Sequence, residues 1–200
     1  MQMDQAQGLR ELKSRQTSTK TFDVCLCESD DAAVLEMVVE ALSSYGYQAV
    51  IVGTDEVREL FRPKVQDQLF TTETIKTISA VNIQVIFYVR TMREKKIGWH
   101  QLPLIVFVRP QKEQLLKLYQ FIKKELPHCI YLIGVGSLDK KKMHQSLHNM
   151  DSSVRRFLNR EVVNLGAVLK EPKDDLSTVY MKVLACLLSR SCTCEKNSDC

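Results

Sequence analysis

Two kinds of charged residue stand where an α/β sheet would bring them together. Glu28, Ser29, Asp30 and Asp31 follow one short apolar run, and two arginines, Arg90 and Arg109, close two later ones. Acids facing arginines across one sheet edge can form a polar pocket for a nucleotide or other anion, with Arg90 and Arg109 as its cationic clamp. Alternatively the arginines pair with Glu28 and Asp30, and the edge is filled by a salt-bridge network. The residues favour the second reading. No glycine-rich phosphate loop follows the first run, and Asp30 or Asp31 is needed to cap the helix after it.

Other reactive side chains offer less. His144 and His148 are four apart, a spacing that places both on one helix face and suits metal ligation. Nothing nearby in sequence completes a site, so a solvated helix face is expected, and neither a metal nor a cofactor is assigned. Seven cysteines are an odd number, and Cys25 and Cys27 sit in an apolar run as reduced core thiols. Cys192, Cys194 and Cys200 lack zinc-ribbon spacing and read as a flexible, reactive tail. Gly136-Ser137 has no second glycine and is not a nucleophile elbow.

Positioning the acid and arginine clusters requires strands that end at them. Val24 to Cys27 is continuously apolar, the pattern of a strand buried on both faces. A helix follows from about Asp31, with Val34, Leu35, Val38, Val39, Leu42 and Tyr45 at three- and four-residue steps and Gly46 as its stop. Tyr47 to Val52 reads as a second strand, completing a right-handed β-α-β unit. Between Thr54 and Ala80, Pro63 separates two short helical pieces, the second at Thr72 to Ser79. Ile83 to Val89 and Pro103 to Val108 are the third and fourth strands, too close together for more than a stunted helix between them. A helix is expected over Gln111 to Leu126, a fifth strand over Cys129 to Val135, a short helix around Ser153 to Arg160, and a last helix at Asp175 to Leu188.

These elements predict a flavodoxin-like three-layer α/β sandwich with a five-stranded, mostly parallel sheet in the order 2-1-3-4-5, whose first, third and fourth strands share a carboxyl-end crevice. Residues 1–21 read as a flexible tail, 22–189 as one domain and 190–200 as a Cys-rich tail. The chain of 200 residues carries 28 basic and 24 acidic side chains, a net charge of +4. That is too slight to argue for nucleic acid, and the Lys140-Lys141-Lys142 run reads as a solvated loop. No apolar run is long enough to span a bilayer and none resembles a signal peptide, so a cytoplasmic protein is expected.

Phe22, Asp23, Val24, Ser29 and Asp31 resemble the first sequence box of Toll/interleukin-1 receptor (TIR) domains, in which an aromatic-Asp pair opens the first strand and a serine and acids follow it. Gly46-Tyr47, the strand at Ile83 to Val89, Trp99 and Pro103-Leu104-Ile105 fall at corresponding places. The resemblance implies an intracellular adaptor or scaffold whose partners are proteins, a second copy of the chain among them. The loop after the second strand, Val52-Gly53-Thr54-Asp55-Glu56, lacks the Arg-Asp and Pro-Gly elements typical of TIR adaptors. Thr91 to Gln101 holds only Glu94 where NAD-cleaving members carry a catalytic glutamate. A non-catalytic interaction module is therefore expected, with a nucleotide- or NAD-binding enzyme using the sheet edge as the alternative. A layout similar to bacterial receiver domains is a third reading. Arg90 or Thr91 occupies the phosphoacceptor position there, so it would be a pseudo-receiver.

Overall fold

The computed structural model describes residues 19–77, 83–94, 102–136 and 139–168. In chain order the elements are β1 (Lys20–Leu26), α1 (Ser29–Ser44), β2 (Ala49–Val52), α2 (Asp55–Arg58), a 3-10 segment (Pro63–Gln68), β3 (Leu69–Phe70), α3 (Thr74–Thr77), β4 (Val85–Thr91), β5 (Leu104–Val108), α4 (Lys112–Glu125), β6 (Cys129–Val135), α5 (Lys140–Leu158) and β7 (Glu161–Val168). The expected helix at 175–188, Trp99, His100, Ser137 and the cysteines beyond 190 lie outside the described residues.

The strands form one seven-stranded sheet in the order β3-β2-β4-β1-β5-β6-β7, with every neighbouring pair parallel. A parallel sheet between helical layers was expected, but the five-stranded order 2-1-3-4-5 is corrected on two counts. The strand after α1 pairs with β4 and not with β1. The chain passes from β2 through the 3-10 segment to a two-residue edge strand, β3, paired with β2 at Ile51 and Leu69. It then turns inward, so that β4 takes the place between β2 and β1. A second unexpected strand, β7, closes the other edge against β6.

Right-handed crossovers explain the layers. From β1 the chain moves toward one edge and from β5 toward the other, so α1 and α4 must lie on opposite faces. The core divides accordingly. Phe22, Val24 and Leu26 pack with Leu35 and Val39 of α1 on one face, while Cys25 and Val106 pack with Leu118 and Ile122 of α4 and with Met143 and Leu147 of α5 on the other. Alternation along β1 is thus complete, although both its faces are buried. Each fully buried Leu, Ile or Phe stabilises the fold by about 1.5–3 kcal/mol.

Local boundaries also shift. β1 begins at Lys20, inside the expected tail, and Cys27 lies beyond its end. α1 starts at Ser29 with Glu28 as its N-cap, not Asp30 or Asp31. Its end is as expected, at Gly46 with φ +80°. α5 runs from Lys140, so the basic triplet is helical and not a loop. No helix among the described residues is long and apolar enough to cross a membrane.

Candidate functional site

β1 lies between β4 and β5, so the ends of these three strands meet, and the connections from β1 and β5 diverge to opposite faces. Such a divergence leaves an opening at the carboxyl edge. A crevice of about 1250 Å³ occupies it, lined by Cys27, Glu28 and Ser29 after β1, by Thr91 at the end of β4 and Met92 to Glu94 after it, by Arg109 after β5, and by one side of α4 from Gln114 to Glu125. Gln114, Leu118, Phe121 and Glu125 recur at three- and four-residue steps, which is why one helix face supplies that wall.

Arg90 is part of this edge but does not line the crevice. The β1–β4 register sets Cys25 opposite Arg90 and Asp23 opposite Tyr88, so Asp23 and Arg90 share a face as diagonal neighbours. Arg90 Nε and Nη2 donate to the two carboxylate oxygens of Asp23 at 3.1 and 2.9 Å. Nη2 also donates to Glu125 Oε2 at 3.0 Å, and the guanidinium stands 5.1 Å above the Phe121 ring. Burial alone would lower the Arg90 pKa. The hydrogen bonds it donates to Asp23 and the charges of Asp23 and Glu125 outweigh it and hold the value above the ordinary one. Two carboxylates hold this arginine, leaving only its Nη1 without a hydrogen-bond partner, and they are not the expected Glu28 and Asp30.

Arg109 is held differently. It is buried, and its Nη1 lies 2.7 Å from Oδ1 of Asp31, a carboxylate with 0% side-chain exposure. That contact is off the hydrogen-bonding direction, so Nη1 and Nη2 of Arg109 and Oδ1 of Asp31 have no hydrogen-bond partner. The other oxygen of Asp31, Oδ2, accepts from the backbone N–H groups of Cys27 at 2.7 Å and Glu28 at 3.0 Å, as expected of an acid in the first turn of a helix. Burial pushes the Asp31 carboxyl above the usual aspartate range, against the opposing pull of Arg109 and of the Glu28 and Cys27 backbone. Gly136, with φ +87°, stands beside this arginine, and a Cβ there would lie 3.8 Å from Nε.

The remaining expected residues separate. Glu28 and Ser29 are exposed at the crevice rim, and Asp30 is exposed outside the lining. Glu28 accepts a hydrogen bond of 3.3 Å from Gln114 Nε2. Glu94 is engaged by the Thr54 hydroxyl at 2.7 Å and by the backbone N–H of Thr91. His144 and His148 are exposed on α5, and His128 is exposed at the start of β6. Among the described residues no group of three or more His, Cys, Asp or Glu could hold a metal ion. Cys25 is buried and Cys27 half-buried. The hydrogen bond with Cys27, then burial, pushes the Cys25 thiol well above its ordinary pKa, which disfavours a nucleophilic thiolate.

Sequence reasoning missed Asp23, Gln114 and Glu125. Glu125 and Gln114 could have been found from the face that helical spacing gives them. Asp23 could not, because its partnership depends on β4 lying beside β1.

No protein-family model matches this chain, and no curated protein matches it in sequence. Among solved structures, the rat Sly1 N-terminal domain is similar at 13% identity over 69% of this chain and 95% of its own length, with a TM-score of 0.34. At that score the likeness has no bearing on function.

Proposed function

We propose that this chain is a non-catalytic interaction module, with a protein partner or a second copy of itself as its ligand. The observation that carries the reading is that Asp23, Asp31, Arg90, Arg109 and Glu94 of the carboxyl edge are each already engaged within the fold. Asp23 and Glu125 hold Arg90, Asp31 holds Arg109 and two backbone N–H groups, and Glu94 is engaged by Thr54 and Thr91. A general acid or base needs a proton it can exchange with substrate, and groups committed in this way are poorly placed for that. The sheet order departs from the one the TIR resemblance implies, so the reading rests on this edge and not on that resemblance.

Contact surface is available on the helices. Leu116 on α4 is 56% exposed and Phe157 on α5 is 66% exposed, and aromatic or aliphatic side chains of this kind anchor interfaces when they cluster. Sedimentation velocity of the full chain over a wide concentration range tests the self-associating form. A rising sedimentation coefficient that Leu116→Ser with Phe157→Ser abolishes is the expected result. Turnover of NAD or ATP by the purified chain, lost in Glu94→Gln, would overturn the non-catalytic reading.

A further inference from the structure

The two helical layers differ in charge. α1, on one face of the sheet, carries four acids and no basic residue. α4 and α5, packed on the other face, carry nine Lys or Arg against three acids, a charge of +6. The whole chain carries only +4, so its positive charge is gathered on one side. Two of the three acids are engaged, Glu125 by Arg90 and Asp151 by Arg155, and the cap Asp139 accepts from the Lys142 N–H.

Helical spacing turns the basic residues outward. Met143, Leu147, Met150 and Val154 bury one face of α5, and the exposed Lys141, His144, His148 and Arg155 follow one another on the opposite side. On α4, Leu118 and Ile122 face the sheet, while Lys112, Leu116 and Lys123 share the outward line. The run from Lys140 to Lys142 joins this surface because it is helical. Two apolar side chains stand among these charges. Leu116 is 56% exposed on α4, and Phe157, 66% exposed near the end of α5, has the Arg156 guanidinium 5.4 Å from its ring.

We propose that this layer docks on the surface of an anionic phospholipid bilayer, with its lysines against the headgroups and Leu116 and Phe157 at the acyl boundary. Three features select a bilayer. Seven of the nine basic residues are Lys, a residue depleted from protein interfaces, whereas Lys and Arg alike add to affinity for an anionic leaflet. Two helices side by side give a broad surface and not the single projecting helix that reads a DNA groove. Exposed Leu and Phe beside lysines suit the headgroup region, which apolar side chains can enter, and find no counterpart along a phosphate backbone. The docking is peripheral, and none of the described helices is long and apolar enough to span a membrane. It goes beyond the protein-interaction reading, and either can fail without the other.

Co-sedimentation of the full chain with vesicles tests it, using phosphatidylcholine alone and phosphatidylcholine with about one-third phosphatidylserine. Saturable binding to the second and not to the first, weakening as sodium chloride rises from about 0.1 to about 0.5 M, is expected. Lys112→Gln, Lys123→Gln and Lys141→Gln together should keep the Tm and weaken binding roughly tenfold or more. Leu116→Ser with Phe157→Ser should weaken it severalfold at every salt concentration. Lys64→Gln, beside Glu40 of α1 on the opposite face, should leave it unchanged. The proposal is overturned if phosphatidylserine vesicles bind no more of the chain than phosphatidylcholine alone, whether or not duplex DNA or poly-glutamate is bound instead. It is overturned equally if the triple Lys variant binds as tightly as the unaltered chain.

Discussion

Two arginines close two strands at the same edge of the same sheet, and the fold treats them in opposite ways. Arg90 meets two carboxylates through three charge-assisted hydrogen bonds and stacks over Phe121. Arg109 meets one carboxylate at close range without a well-formed hydrogen bond, and both of its terminal nitrogens are buried without a hydrogen-bond partner. Residue type and burial are alike, so the difference comes from the neighbours that the strand order supplies. β4 lies directly beside β1, which brings Asp23 to Arg90. Arg109 lies past the end of β5, level with the turn that starts α1, and Asp31 is the acid that turn provides. One arginine is held by three hydrogen bonds, and the other by a single ion pair.

The largest test of this contrast is removal of the locked arginine. Arg90→Met leaves the buried Asp23 and the partly buried Glu125 without a counter-ion, and breaking a buried pair in this way costs about 3–5 kcal/mol. Urea unfolding should show that loss. Arg90→Lys retains the charge but not the bidentate geometry, and should fall between the two. If Arg90→Met were nearly neutral, the Asp23–Arg90–Glu125 cluster would not be holding β1, β4 and α4 together. The contrast with Arg109 would then collapse.

Arg109→Met should cost less, about 1–3 kcal/mol near neutral pH, because Asp31 keeps its two backbone N–H donors. The cost should also shrink on acidification, since a protonated Asp31 no longer needs a counter-ion. Parallel urea titrations of the two Met variants at several pH values check both statements. A cost for Arg109→Met equal to that for Arg90→Met would mean that the second arginine is as structural as the first.

How far this arrangement could be read from the sequence follows from what each signal carries. β6 was legible residue for residue, because Cys129 to Val135 is an unbroken apolar run buried along its whole length. α1 and α4 were legible from their helical spacing. β3 was not, since two residues make no pattern. β7 was hidden by its irregular burial, with Gly166 and a register shift opposite Leu132 and Ile133. The strand order was illegible for a deeper reason: strands buried on both faces are apolar throughout and carry no mark of which neighbour they pair with. The site inherited that gap. The pairing of Arg90 with Asp23 depends on β4 adjoining β1. Asp31 was assigned to a helix cap and met Arg109 instead, while still taking two backbone N–H groups as a first-turn acid does.

The smallest effect is the most discriminating. Asp31→Asn keeps an oxygen for the N–H groups of Cys27 and Glu28 and removes only the charge. The Asp31 pKa is raised by burial in the folded chain, so between its ordinary value and the raised one the folded state holds a proton that the unfolded state has released. Stability must fall as pH rises through that window and level off above it, because the slope follows the difference in bound protons between the unfolded and folded states. The Asn variant has no such group. Its stability relative to the unaltered chain should therefore improve as pH rises from about 4, near the ordinary aspartate value, and then stop changing. Urea unfolding of both proteins across the acidic range measures the slope. A slope of the opposite sign would mean that Arg109 and the two N–H groups overcome the burial penalty. Arg109 would then be as tightly matched to Asp31 as Arg90 is to Asp23.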